Sequence, residues 1–102
     1  MVAFAYIYAM PGYKKQEHHS VTTELAEFHV VAVDYAKLET AADVAAKLVS
    51  EHGVQMIELC GGLANAEIVS LVKKAVGKNV AVGQVMYGPE YRKVLVDLLN
   101  LK

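Results

Sequence analysis

Nine consecutive residues, Val2 to Met10 (VAFAYIYAM), carry no charge and are apolar on both parities: Val2, Phe4, Tyr6 and Tyr8 alternate with Ala3, Ala5, Ile7 and Ala9. A strand wet on one face shows a polar residue at every second position. One that does not must be covered twice, as in a parallel sheet layered between helices. The run is about half the ~20 residues needed to span a bilayer, and no basic segment precedes it as in a signal peptide. It reads as a buried strand that Pro11-Gly12 brings to an end.

Two further apolar runs follow, Phe28 to Asp34 (FHVVAVD) and Val54 to Cys60 (VQMIELC), and a fourth, Asn79 to Tyr87 (NVAVGQVMY). Between the first two, Tyr13 to Glu27 is polar, with Val21 and Leu25 as its only large aliphatics, and reads as a loop with at most one helical turn. From Thr40 the period changes. Ala41, Val44, Ala45, Leu48 and Val49 mark one helical face, Thr40 with Asp43 resembles a weak capping box, and Gly53 closes the helix. A second helix, Ala64 to Val76, sets Ile68, Leu71, Val72 and Ala75 on one side, with Lys73 and Lys74 at its negative end. A third begins at Gly88-Pro89-Glu90 and aligns Tyr91, Val94, Leu95, Leu98 and Leu99. The order β-loop-β-α-β-α-β-α predicts a single α/β domain over residues 1–102. Its core is a four-stranded, mainly parallel sheet with helices on both faces.

Composition narrows the function classes. Ten Lys+Arg against eleven Asp+Glu and a pI near 6.4 lack the basic footprint of a nucleic-acid binder. One cysteine in 102 residues forbids an internal disulfide and fits a cytoplasmic setting. The expected partners are a small-molecule or anionic ligand and further copies of the chain, with no nucleic acid, no membrane, no cofactor and no metal.

Ligands of open parallel sheets bind beyond the strand carboxyl ends, where loops converge and helix N-termini point free N–H groups. Polar residues gather at those ends here: Tyr8, Asp34, Glu58, Cys60, Gln84 and Tyr87. Glu58 stands between Ile57 and Leu59, so its carboxylate is expected to be partly buried. It is then either a poised acid or base, or an acceptor for N–H groups or a lysine. Cys60 precedes Gly61-Gly62 and a helix start, an environment that activates a thiol and also suits an inert strand-end cysteine. Gly61 and Gly62 permit a small-anion turn, without the spacing of a dinucleotide or P-loop motif. His18, in the polar loop, is a second proton carrier; as neighbours, His18 and His19 cannot easily share one metal, so a metal would need Glu58, Cys60 or Asp34 as well. His29 and His52 read as structural.

At Ile57-Glu58-Leu59-Cys60-Gly61-Gly62 the chain resembles a family of small prokaryotic α/β proteins known only as a domain of unknown function and marked by an E-L-C-G-G turn. The resemblance extends to the opening strand Ala3-Phe4-Ala5-Tyr6-Ile7-Tyr8, the loop histidine His18, the strand Val30 to Val33 and the strand Val82 to Val85. It implies a site near Glu58, Cys60 and His18 and brings no activity. The chain departs from that pattern at Leu63-Ala64 and at Met86-Tyr87-Gly88, where an anion-holding arginine would be expected.

The sequence thus predicts a small-molecule or anion site at the strand carboxyl ends, with catalytic candidates Glu58, His18 and Cys60 and binding candidates Gly61, Gly62, Tyr8, Asp34, Gln84 and Tyr87. The alternative is a non-catalytic oligomeric or regulatory module. A homo-oligomer is expected under both, since edge strands and alanine- and valine-rich helix faces invite a partner chain.

Overall fold

The computed structural model describes residues 1–15 and 17–99, the last of these by its backbone alone, so Leu99 as an apolar contact lies outside the described side chains. The apolar run Val2–Met10 forms the central strand β1. After it come β2 (Glu17–Thr22), β3 (Ala26–Asp34), α1 (Thr40–His52), β4 (Met56–Leu59), α2 (Ala66–Val76), β5 (Ala81–Gln84) and α3 (Arg92–Leu99). The sheet order is β2-β3-β1-β4-β5. β3 and β4 flank β1 in parallel, β5 runs parallel to β4, and β2 is antiparallel to β3.

Among the described residues the sheet therefore has five strands where the sequence predicts four. The missing one is β2, EHHSVT, which lies inside the segment read as a loop and is exposed along its whole length. A polar, charged edge strand blunts edge-to-edge association, and the same chemistry erases the apolar alternation by which strands are recognised. β3 begins at Ala26, two residues before the predicted Phe28, while β4 and β5 are shorter than the runs that contain them.

The second correction concerns the layers. Ala3, Ala5, Ile7, Val31, Val33, Ile57 and Leu59 point to one side of the sheet, where Ala41, Val44, Ala45 and Leu48 of α1 and Ile68 and Val72 of α2 complete the buried core. The crossovers β3-α1-β4 and β4-α2-β5 step across the sheet in the same direction, and right-handed connections that advance the same way place their helices on the same face. The opposite parity is left to side chains that cover one another. Phe4 and Phe28 lie 4.7 Å apart and Tyr6 stacks on Tyr8 at 6.3 Å, while Met56 and Glu58 are exposed. α3 covers little: Val94, Val96 and Leu98 are each more than half exposed.

Helix ends fix where the site residues stand. Gly53, at φ +64°, closes α1, with its N–H on the carbonyl of Val49 and that of Val54 on Leu48. Only glycine takes this left-handed position without strain, so the helix stops one residue after His52. At its start no side chain caps α1; Thr40 instead donates its hydroxyl to the Lys37 carbonyl at 2.7 Å, so the expected capping box is absent. α2 is capped by Asn65, whose side chain accepts the Ile68 N–H at 2.9 Å. No described helix is long and apolar enough to cross a membrane.

Candidate metal centre

Three of the four histidines of the chain meet on the helix-covered side of the sheet, between the edge strand β2 and the last turn of α1. In the β2/β3 ladder His18 is opposite Val31 and Ser20 opposite His29. Opposed residues share a face, so His18 and His29 are diagonal neighbours on the same side. The C-terminal turn of α1 delivers His52 over them. Ring centroids lie 5.0 Å apart for His18 and His29, 5.3 Å for His18 and His52 and 4.4 Å for His29 and His52. One ring nitrogen from each falls within 4.8 Å of the others.

His29 is the buried member, 2 % exposed and the only polar residue in the described core. Its Nδ1 is 2.8 Å from the Nε2 of His18. Its Nε2 has no hydrogen-bond partner among the described residues. Oε1 of Glu27 lies 3.2 Å away but off the N–H direction, so the contact is electrostatic in kind. That carboxylate favours the tautomer with the proton on Nε2, which leaves the Nδ1 lone pair facing His18. A histidine whose far nitrogen faces a carboxylate is the usual support of a metal-ligating imidazole.

The electrostatics suit a cation that is not a proton. His18 is held below the ordinary histidine pKa, first by burial, then by the charges that His29, His52 and His19 would carry, with Glu51 opposing. Neutral imidazoles are the form that binds metals. The C-terminal end of α1 adds its negative dipole, and Glu27 and Glu51 stand beside the cluster. Tetrahedral zinc at ~2.0–2.1 Å from each nitrogen needs N···N separations of about 3.3 Å. The short pair must open and the widest close. His18 and His52, both exposed, have the rotamer freedom for it.

The residues expected at the strand carboxyl ends are divided by the structure. Tyr6 gathers several of them: burial raises its phenol pKa, and Cys60, Tyr87 and Glu58 push it further. Tyr8 stacks on Tyr6, and a Cβ on Gly61 would lie 3.5 Å from the ring of Tyr87. Cys60 Sγ accepts the Ala9 N–H at 3.3 Å. Glu58, however, is exposed on the open face, so the burial expected to poise its carboxyl is absent. Gly61 and Gly62 open a 3-10 turn that separates them from α2, and a Cβ on Gly62 would press on Tyr35 at 3.3 Å, so they do not lead directly into a helix N-terminus. Asp34 caps a turn by accepting the Ala36 N–H, and Gln84 faces α2 on the other side of the sheet.

His18 does not join this group. Two strands, β3 and β1, separate it from Glu58, and the two residues point to opposite faces. A set of His18 with Glu58 or Cys60 is thus not assembled, and the partners of His18 are the two histidines read as structural. One signal for them was present in the chain: a lone polar residue in the apolar strand FHVVAVD must find a partner once buried.

The chain matches the family DUF6506, a family of unknown function, over residues 2–100. It belongs to that family. Among curated proteins and among solved structures nothing matches this DUF6506 chain. Its chemistry must therefore be read from its own residues.

Proposed function

We propose that this DUF6506 protein binds one divalent transition-metal ion of the zinc type through His18, His29 and His52. The observation that carries the reading is the convergence of three ring nitrogens within 4.8 Å around a buried imidazole. Three neutral nitrogen donors suit zinc and its neighbours in the first row better than calcium or magnesium, which take oxygen. Three protein ligands leave the fourth tetrahedral position to water or substrate, the pattern of catalytic rather than structural zinc. Such a site lowers the pKa of its bound water to about 7.

Calorimetric titration of the metal-free protein with zinc tests this. One equivalent per chain is expected. His52→Ala, at an exposed position, should weaken binding at least tenfold, and Cys60→Ser should leave it unchanged. Loss of binding in Cys60→Ser with full binding in His52→Ala contradicts the assignment.

A second reading is supported by the surroundings of Tyr6, where Glu58, Cys60 and Tyr87 converge. It keeps a small-molecule site at the carboxyl ends of β1 and β4, without His18. Chemical-shift changes at Tyr6 and Glu58 on addition of small carboxylates or phosphate would favour it, and their absence would remove it. The homo-oligomer expected from the sequence rests on the sheet edges and the alanine- and valine-rich helix faces, and a monomer by light scattering at micromolar concentration contradicts it.

A further inference from the structure

We infer that the open coordination position of this centre receives a short-chain monocarboxylate, its oxygen on the metal and its charge shared with Lys47. The inference rests on the three-histidine reading. A cavity of about 130 Å³ adjoins the cluster, lined by His18 and His52 together with Val44, Lys47, Leu48 and Glu51. His29 is not part of this lining. An ion held by all three histidines therefore has the buried ring behind it and the cavity in front, and its remaining position points into the cavity.

The lining selects the ligand. A single water occupies ~10–15 Å³ on the same measure, so the space holds a ligand of several heavy atoms and excludes a large cofactor. Val44 and Leu48, one helical turn apart on α1, form an apolar wall that suits a short alkyl chain. Lys47, on the same helix, brings one ammonium to the cavity rim, where it complements a charge placed on the metal. Glu51, one turn further along, repels a second negative charge and so disfavours dicarboxylates and other dianions. A divalent metal and Lys47 against Glu51 and the nearby Glu27 leave one positive charge, which fits a monoanion with an apolar tail.

The test uses cobalt(II) as a visible stand-in for zinc, with propionate and propionamide as probes. Cobalt bound to three imidazoles and water gives a visible absorption band. Propionate should shift that band in a saturable way, and neutral propionamide should not. Lys47→Met removes one charge-assisted contact and should weaken propionate binding by about tenfold. The spectrum of this variant before propionate is added reports separately that cobalt is held. A cobalt spectrum indifferent to about 100 mM propionate, a hundredfold excess over a 1 mM dissociation constant, overturns this inference and leaves the metal centre standing. Propionate binding unaltered by Lys47→Met overturns the assigned pose. Absence of any cobalt band overturns the metal reading and the inference together.

Discussion

The Nε2 of His18 lies 2.8 Å from the Nδ1 of His29, one on an exposed edge strand and the other buried in the layer beneath α1. One of the two nitrogens must donate and the other accept; once His18 carries its proton on Nδ1 instead of Nε2, both facing nitrogens are neutral and offer lone pairs to a metal.

Zinc should stabilise the fold. A ligand held by the native state alone adds RT ln(1 + [L]/Kd), about 2.7 kcal/mol at a hundredfold excess over Kd. Thermal unfolding with and without zinc should show a higher midpoint for the wild type and no zinc effect for the double variant His18→Ala/His52→Ala. An equal rise in the double variant would place zinc elsewhere.

Without metal, stability should fall on acidification below about pH 6.5, the unperturbed histidine value. The folded pKa of His18 is depressed by burial and by His29, His52 and His19, against Glu51. Between the two pKa values the unfolded chain therefore binds the extra proton, and stability rises with pH there. It is fully present above 6.5 and lost as pH drops toward the folded value. Urea unfolding of the metal-free protein across pH 5 to 8 should show this slope, reduced in His18→Gln. A flat profile would contradict the environment assigned to His18.

Glu27→Gln keeps the shape beside His29 and removes the charge 3.2 Å from its Nε2. Outer-shell carboxylates of this kind change metal affinity by about 10–100-fold. Calorimetry should find zinc binding weakened within that range. Unchanged affinity would mean that Glu27 does not set the tautomer of His29.

Leu59→Ala and Glu58→Gln separate the two faces of β4. Leu59 is fully buried, and its truncation should cost about 2–5 kcal/mol by urea unfolding. Glu58 is exposed, and its neutralisation should stay within about 0.5 kcal/mol. A large loss in Glu58→Gln would show a buried role for that carboxylate after all.

Periodicity made the helix-side layer legible. Ala3, Ala5 and Ile7 against Ala41, Val44 and Leu48 are where the alternation of a strand and the 3.6 period of a helix place them. β2 was not legible, because its polar, fully exposed EHHSVT has no apolar face to betray it. The side of the sheet opposite α1 and α2 is illegible for a related reason: aromatic residues at Phe4, Tyr6 and Phe28 look the same in sequence whether a helix or a neighbouring ring covers them. The site was legible only in part. The sequence marks His18 but points to the strand carboxyl ends for its partners, and without β2 nothing in the spacing of 18, 29 and 52 brings the three histidines together. Histidines separated by 11 and 23 residues become neighbours through one antiparallel pairing and one crossover helix, both long-range events.

X-ray absorption at the zinc edge of the zinc-loaded protein tests the central claim most directly. A first shell of nitrogen and oxygen alone at about 2.0–2.1 Å, with outer-shell scattering from three imidazoles, is the predicted result. A sulfur scatterer at about 2.3 Å, which Cys60 alone could supply besides methionine, or an outer shell with no imidazole signature, would contradict the three-histidine centre.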